Sequence, residues 1–350
     1  MPQTTYLKTK LDKMKAIGFK KSLPINEAES FIEFEKEIVP PTGHDILVKI
    51  EAISINPVDY KIRQGAAKDI VLNEPKIIGW DAVGTVEEIG DQATLFKKGD
   101  HVFYAGDITK DGSNQEYQLV DERIVGFAPQ KISVAEAAAM PLTALTAYEI
   151  LFDRLRLDPD KDKGKSILII GGAGGVGSVA IQLAKNILGL QVIATASRPD
   201  TIEWCKKLGA DYVVNHKDLV NEVRNTGFDS VDIIVDFVDV NQYWDAMVAL
   251  IKPQGKIGSI SDPTEPVNLR QLKGKSVSFH WELMFTRSMF QTEDLIEQHH
   301  ILNKIAQLLD ARTLQSTLNK TIEGFTADNL KEAHRLLESG KTIGKVVLKF

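Results

Sequence analysis

Residues 166–184 read SILIIGGAGGVGSVAIQLA, an uncharged stretch close to membrane-spanning length. Its five glycines cluster after a short isoleucine-rich run, so it reads as strand, tight turn and helix in place of a span. Gly172, Gly174 and Gly177 form G-x-G-x-x-G, with Gly175 and Val176 inside the same turn. In that context the first glycine allows the turn, the second lets the backbone approach a pyrophosphate, and the third lets the helix pack on the strand. The free N–H groups and positive dipole end of the following helix face the anion. The spacing predicts a dinucleotide site, and a purely structural glycine turn explains less of it.

An NAD enzyme places Asp or Glu at the end of the next strand, against the ribose hydroxyls. Here that region reads IATASRP (residues 193–199), with no acid between Lys185 and Asp200, and Ser197 and Arg198 stand there instead. A hydroxyl and a guanidinium suit a 2′-phosphate, so the expected cofactor is NADPH. Asp200 with Glu203 reads as a capping box for the next helix, and Cys205 as a small packed apolar residue.

Outward from this core, the apolar runs LQVIATA (from Leu190), VDIIVDF (from Val231) and GKIGSI (from Gly255) alternate with amphipathic stretches such as TIEWCKKLG and NQYWDAMVALI. That is the pattern of buried parallel strands with crossover helices. Before about Leu142 the runs are short and alternate with period two, as in FIEFEKEIV and DILVKIEAISI, which predicts a mostly β domain. From Thr292 a long helical pattern leads to a helix around Leu330 and a last β run, IGKVVLKF, of the first domain's character. The expected fold class is α/β: a mostly β domain of residues 1–142 and 290–350, interrupted by a doubly wound parallel-sheet domain of residues 143–289. GKIGSI and SVSFHWELMF end that sheet in an edge, which predicts pairing with a second copy in a homodimer. The pair His299–His300 reads as solvated helix face.

The balance of 42 Lys and Arg against 48 Asp and Glu, net −6, gives no support for a nucleic-acid groove or a membrane face. One cysteine excludes an internal disulfide and any cysteine-based zinc knuckle, and suits a reducing cytoplasm. MPQTTYLKTKLDK at the start is polar and lysine-rich with no apolar segment behind it, so it reads as a lead-in and as neither signal peptide nor anchor.

INPVDYKIRQG (55–65), PKIIGWDAVGTVEEIG (75–90), KKGDHVF, AAAMPLTALTAYEIL (137–151), GGAGGVGSVAIQLAK, LGADYVVNHK and GKVVLKF together form a specific set. Through them the chain, from Met14 to Phe350, resembles the medium-chain dehydrogenase/reductase superfamily, in its quinone oxidoreductase-like branch, often labelled zinc-type alcohol dehydrogenase-like. The resemblance implies a GroES-like β domain interrupted by a Rossmann domain, with the active site in the cleft between them. Zinc-using relatives carry a Cys near Asn56 and a Gly-His-Glu near Gly79-Trp80-Asp81; the Cys and His are their catalytic ligands. A carboxamide and an indole do not replace a thiolate and an imidazole, and no cysteine lies between Asp91 and Val125 to build the relatives' structural zinc loop. No metal site of the family type is expected.

Removing an alcohol's proton is the work zinc does in such enzymes. Hydride transfer to an already electron-poor carbon needs only hydrogen-bond donors at the oxygen where charge develops, and a proton source. Quinones and α,β-unsaturated carbonyl compounds meet that description, as they do for the family. Asn56, Tyr60 and Lys61 are the candidate donors, Asp59 a loop-fixing residue, and Trp80 a flat apolar wall beside the nicotinamide. Each has a plainer alternative: a turn initiator at Asn56-Pro57, a half-buried strand residue at Tyr60, core filler at Trp80. The resemblance further implicates Thr146 near the nicotinamide, Phe237, Val238, Ile260 and Ser261 along the cofactor cleft, and His216 near the adenosine phosphate, where a surface-loop histidine fits equally. A zinc-type alcohol or aldehyde dehydrogenase with a cryptic metal, and an NADPH-binding sensor, are the competing readings.

Overall fold

The computed structural model describes residues 13–350; the lead-in predicted ahead of Met14 lies outside the described residues, Lys13 apart. β1 (Lys13–Gly18) and β2 (Ile32–Glu37) pair antiparallel. β3 (Asp45–Ser54), β4 (Ala82–Ile89), β5 (His101–Tyr104), β6 (Tyr117–Asp121) and β7 (Val125–Phe127) build the larger part of a mostly antiparallel sheet.

A parallel sheet follows: β8 (Ser166–Ile170), β9 (Gln191–Thr195), β10 (Tyr212–Val214), β11 (Val231–Asp236), β12 (Ile251–Ser259) and β13 (Ser278–Trp281), in the order β10-β9-β8-β11-β12-β13. All five residues of β8 are buried, as a strand covered on both faces requires, which is why SILII shows no alternation. The strand order reverses between β8 and β11, so the loops leaving their carboxyl ends diverge and open a crevice there. β14 (Leu318–Glu323) and β15 (Lys345–Lys349) then rejoin the first sheet, β15 antiparallel to β3 with Val347 opposite Ser54. Strands β3–β7 and the last two strands thus share one sheet, with the parallel sheet between them in sequence and β1–β2 a separate pair.

The long uncharged stretch divides into β8, a turn, and the helix Gly175–Asn186; among the described residues no helix is long and apolar enough to cross a membrane. Just before β15, the Gly344 amide donates to the Ala173 carbonyl at 2.9 Å, which ties the glycine turn to the first sheet.

Two local expectations are corrected. The helix Pro199–Lys207 is closed at its start by Thr201, whose hydroxyl accepts from the Arg198 amide (3.1 Å) and donates to the Arg198 carbonyl (2.8 Å). Pro199 starts the helix one residue ahead of Asp200, so the box forms there and not at Asp200–Glu203. The helical pattern from Thr292 becomes helix only at Glu297–Asp310, and His299 lies on its buried face. Its Nδ1 is 2.6 Å from the Val125 carbonyl oxygen and its ring meets Phe96 edge-on, while His300 is exposed. Gln298, His299, Ile301, Leu302 and Ile305 share one stripe, and the strand beneath it captures the imidazole.

Candidate functional site

The three glycines of the motif stand in three different surroundings. A Cβ on Gly177 would fall 2.1 Å from the Gly171 carbonyl oxygen, so only glycine lets the helix sit this close to the turn. A Cβ on Gly172 would come within 2.8 Å of the Ala194 Cβ and 3.1 Å of the buried Cys205 sulfur. Gly174 caps the helix, and a Cβ there would meet nothing closer than 3.5 Å, so its bare backbone borders open space where an anion can approach. Thr195 at the end of β9 holds the turn: its hydroxyl accepts from the Gly171 amide (2.9 Å) and its carbonyl from the Gly172 amide.

Ser197 and Arg198 follow β9 directly, and Ser197 is exposed. The Arg198 guanidinium reaches Asp200 (3.2 Å) and the Lys341 carbonyl (2.8 Å), which draws the segment before β15 toward the same corner. His216 lies just beyond β10, at the carboxyl end of the sheet and half-buried. Phe237 and Val238 follow β11; the Phe237 amide donates to the Ile170 carbonyl, and the Val238 methyl stands 2.7 Å from where a Gly171 Cβ would be. Ile260 and Ser261 follow β12. The fold therefore collects all of these residues at the carboxyl ends of one sheet.

The other half of the site starts at Asn56, which caps the helix Pro57–Gly65 with Pro57 in its first turn. Asp59 closes this cap by accepting from the Asn56 amide at 2.6 Å, as its loop-fixing role requires. Asn56 is itself buried. Its amide nitrogen donates to Asp81 (2.8 Å) and the Trp80 carbonyl (3.2 Å), and its oxygen accepts from the Lys345 ammonium. With both N–H bonds spent inside the protein, Asn56 is a strut in this geometry and offers no donor to a substrate.

Lys345, from the far end of the sequence, also donates to the Ile55 carbonyl (3.0 Å) and to Asp81 (2.9 Å). The second Asp81 oxygen accepts from the Leu142 amide at 2.7 Å, at the start of the helix Pro141–Tyr148. Two buried carboxyls and one buried ammonium thus share a small volume, so one carboxyl must be neutral. Burial pushes the Asp81 carboxyl up, but the ammonium and two further donors oppose it. Burial pushes Asp59 up to about 8, beyond what the Asn56 amide and Lys345 offset, and its second oxygen has no partner among the described residues. We assign the proton to Asp59 and the charge to Asp81.

Trp80 is fully buried, edge-on to Phe285 at 6.0 Å, with its ring nitrogen toward the Asp107 carbonyl. It is a floor beneath Phe285 in this geometry and not an exposed wall. Tyr60 is half-buried and its hydroxyl has no partner among the described residues, which leaves it available to a ligand. Lys61 is mostly exposed, 3.5 Å from Asp262 in the loop after β12, so it spans the two halves at the surface. Thr146 is buried, and its hydroxyl donates to the Leu142 carbonyl one turn back.

Sequence reading missed Lys345 and the Asp81 pairing. The one local signal was GKVVLKF itself, a lysine entering an otherwise apolar strand.

Two family profiles match the chain: "Alcohol dehydrogenase GroES-like domain" over residues 42–147 and "Zinc-binding dehydrogenase" over residues 208–348. A zinc-type alcohol dehydrogenase-like protein of Staphylococcus epidermidis is 46% identical over 96% of this chain and 99% of its own length. A 2-methylene-furan-3-one reductase of Solanum lycopersicum is 32% identical over 89% of this chain and 73% of its own. Among solved structures, a Rhizobium etli protein of the zinc-dependent alcohol dehydrogenase type superposes with TM-score 0.91 at 46% identity, covering 97% of this chain and 98% of that one. The Escherichia coli quinone oxidoreductase complexed with NADPH superposes with TM-score 0.78 at 26% identity, covering 96% and 100%.

Proposed function

The chain belongs to the medium-chain dehydrogenase/reductase superfamily of oxidoreductases, and from that premise we propose that it is an NADPH-dependent reductase delivering hydride to quinones or α,β-unsaturated carbonyl compounds without a metal. The observation that carries this reading is the Asn56–Asp81–Lys345 cluster. The zinc implied by the relatives' names does not fit these residues. Asn56 and Trp80 are not a thiolate and an imidazole, both Asp81 oxygens are spent on donors, and a buried ammonium repels a dication. Among the described residues no group of three or more His, Cys, Asp or Glu could hold a metal ion.

NADPH does fit. The Gly174 backbone and the start of its helix would take the pyrophosphate, and Ser197 with Arg198 the 2′-phosphate. Bound there, the cofactor supplies the hydride. Tyr60 is the group we assign to donate to the acceptor's oxygen as charge builds on it. The solved quinone oxidoreductase with NADPH and the plant reductase support both cofactor and acceptor class. Lys61 meets Asp262 at the surface, and Asn56 fixes the helix that carries Tyr60.

The test is NADPH oxidation against quinones, enones and short aldehydes, with and without a chelator. We expect turnover of the first two, faster with NADPH than with NADH and unchanged by chelation. Activity lost with the metal, or equal use of NADH, overturns the proposal.

We further propose a cytoplasmic homodimer. β13 is the last strand of its sheet, and Trp281, Leu283, Met289 and Phe290 in and after it are exposed. Sedimentation is expected to give twice the chain mass; particles of only 38.8 kDa would exclude the dimer.

A further inference from the structure

Asp236, the last residue of β11, is fully buried and binds four donors, two from the loop after β11 and two at the end of β12 and just after it. Its Oδ1 accepts from the amides of Val238 (3.0 Å) and Asp239 (3.2 Å). Its Oδ2 accepts from the hydroxyls of Ser259 (2.9 Å) and Ser261 (3.0 Å). The Ser261 oxygen in turn accepts from the Val240 amide at 2.8 Å, so the loop after β11 and the loop after β12 are stitched together twice. No cation pairs with this carboxylate among the described residues; it is held by oriented dipoles alone, an arrangement that only complete hydrogen bonding sustains.

The place of this knot matters. β11 borders β8 where the strand order reverses, and Val238 packs on Gly171, the first residue of the phosphate turn. A ligand lying along the carboxyl ends runs from the turn toward these two loops. The adenosine end, at Ser197 and Arg198 beyond β9, lies on the other side of β8.

We propose that Asp236 is a positioning residue for the nicotinamide half of the cofactor: without touching it, Asp236 fixes Phe237–Val238 and Ile260–Ser261 as one rigid wall of the crevice. The proposal rests on the NADPH reading above. It separates the two halves of the cofactor: loss of the knot loosens the nicotinamide end and leaves the adenosine end as it was.

The experiment is titration of NADPH and of adenosine 2′,5′-bisphosphate, which lacks the nicotinamide half, against the wild type and the variants Asp236→Ala, Asp236→Asn and Ser259→Ala. Asp236→Ala is expected to weaken NADPH by about 30-fold or more, as loss of several bonds to a charged group implies, and to change the bisphosphate by less than about threefold. Asp236→Asn should stay within about threefold of wild type for both probes, because its oxygen serves the two amides and its NH2 group can donate to the two serine oxygens. Ser259→Ala removes one donor, keeps the fold testable if Asp236→Ala does not accumulate, and should weaken NADPH selectively by about 3- to 10-fold. Equal loss of both probes in any variant, or NADPH binding unchanged in Asp236→Ala and Ser259→Ala, overturns the proposal. Wild-type protein that binds neither probe overturns the NADPH reading and this inference with it; binding of both probes with no selective loss overturns the inference alone.

Discussion

Lys345→Met is expected to lower the stability of the protein by about 3–5 kcal/mol near pH 8, the usual cost of removing one partner from a buried ion pair. Lys345 and Asp81 are 3% and 0% exposed, so water cannot replace the ammonium. The substitution also leaves the Ile55 carbonyl and the Asn56 oxygen without their donor. Urea unfolding reads the loss, which should shrink as the pH falls, because without the ammonium burial pushes the Asp81 carboxyl up further and it takes up a proton. Lys345→Met combined with Asp81→Asn should recover most of it, because a neutral amide keeps an oxygen for the Leu142 amide and removes the bare charge. A loss below about 1 kcal/mol in the single variant would show that the pair is hydrated and contributes as a surface pair does.

This cluster marks the boundary of what sequence could disclose. The glycine turn is legible because strand, turn and helix are contiguous, and each glycine answers to a neighbour a few residues away, as Gly177 does to Gly171. IGKVVLKF is legible as a last β run, and β15 does pair with β3, although its consecutive buried Val346, Val347 and Leu348 show no alternation. Lys345 and Asp81, however, are 264 positions apart, and no periodicity links them. Asn56 and Trp80 were legible as positions but not in orientation. A side chain at the correct place in a motif can turn inward when buried partners await it, as Asp81 and Lys345 await Asn56. His299 shows the same limit from the other side: a polar residue in a charged helix was captured by a carbonyl on the strand beneath it. Asp236 gains a purpose only from Ser259 and Ser261, 23 and 25 positions on, which no local pattern links to it.

Asp59→Asn is expected to remove a large pH dependence of stability. Burial raises the Asp59 carboxyl to about 8 from the ordinary 3.8, and in the unfolded chain it returns to the ordinary value. Between those two values the folded protein holds a proton that the unfolded chain has released. Stability from this group is therefore complete below 3.8 and falls as pH rises, by up to about 1.4 kcal/mol per unit, until the folded-state group itself ionises near 8. Asparagine keeps the shape and an oxygen for the Asn56 amide, and it cannot ionise. Its NH2 group stands where the partnerless oxygen stood, so at pH 4 variant and wild type should be nearly equal in stability. At pH 9 the variant should be the more stable by several kcal/mol, since wild type must then either bury a second negative charge beside Asp81 with one ammonium between them, or unfold. Urea midpoints of the two proteins from pH 4 to 9 give the difference directly, and ionisations common to both cancel. Parallel profiles would mean that the folded protein already carries Asp59 ionised, with the proton on Asp81, and the charge assignment at the heart of the site would have to be exchanged.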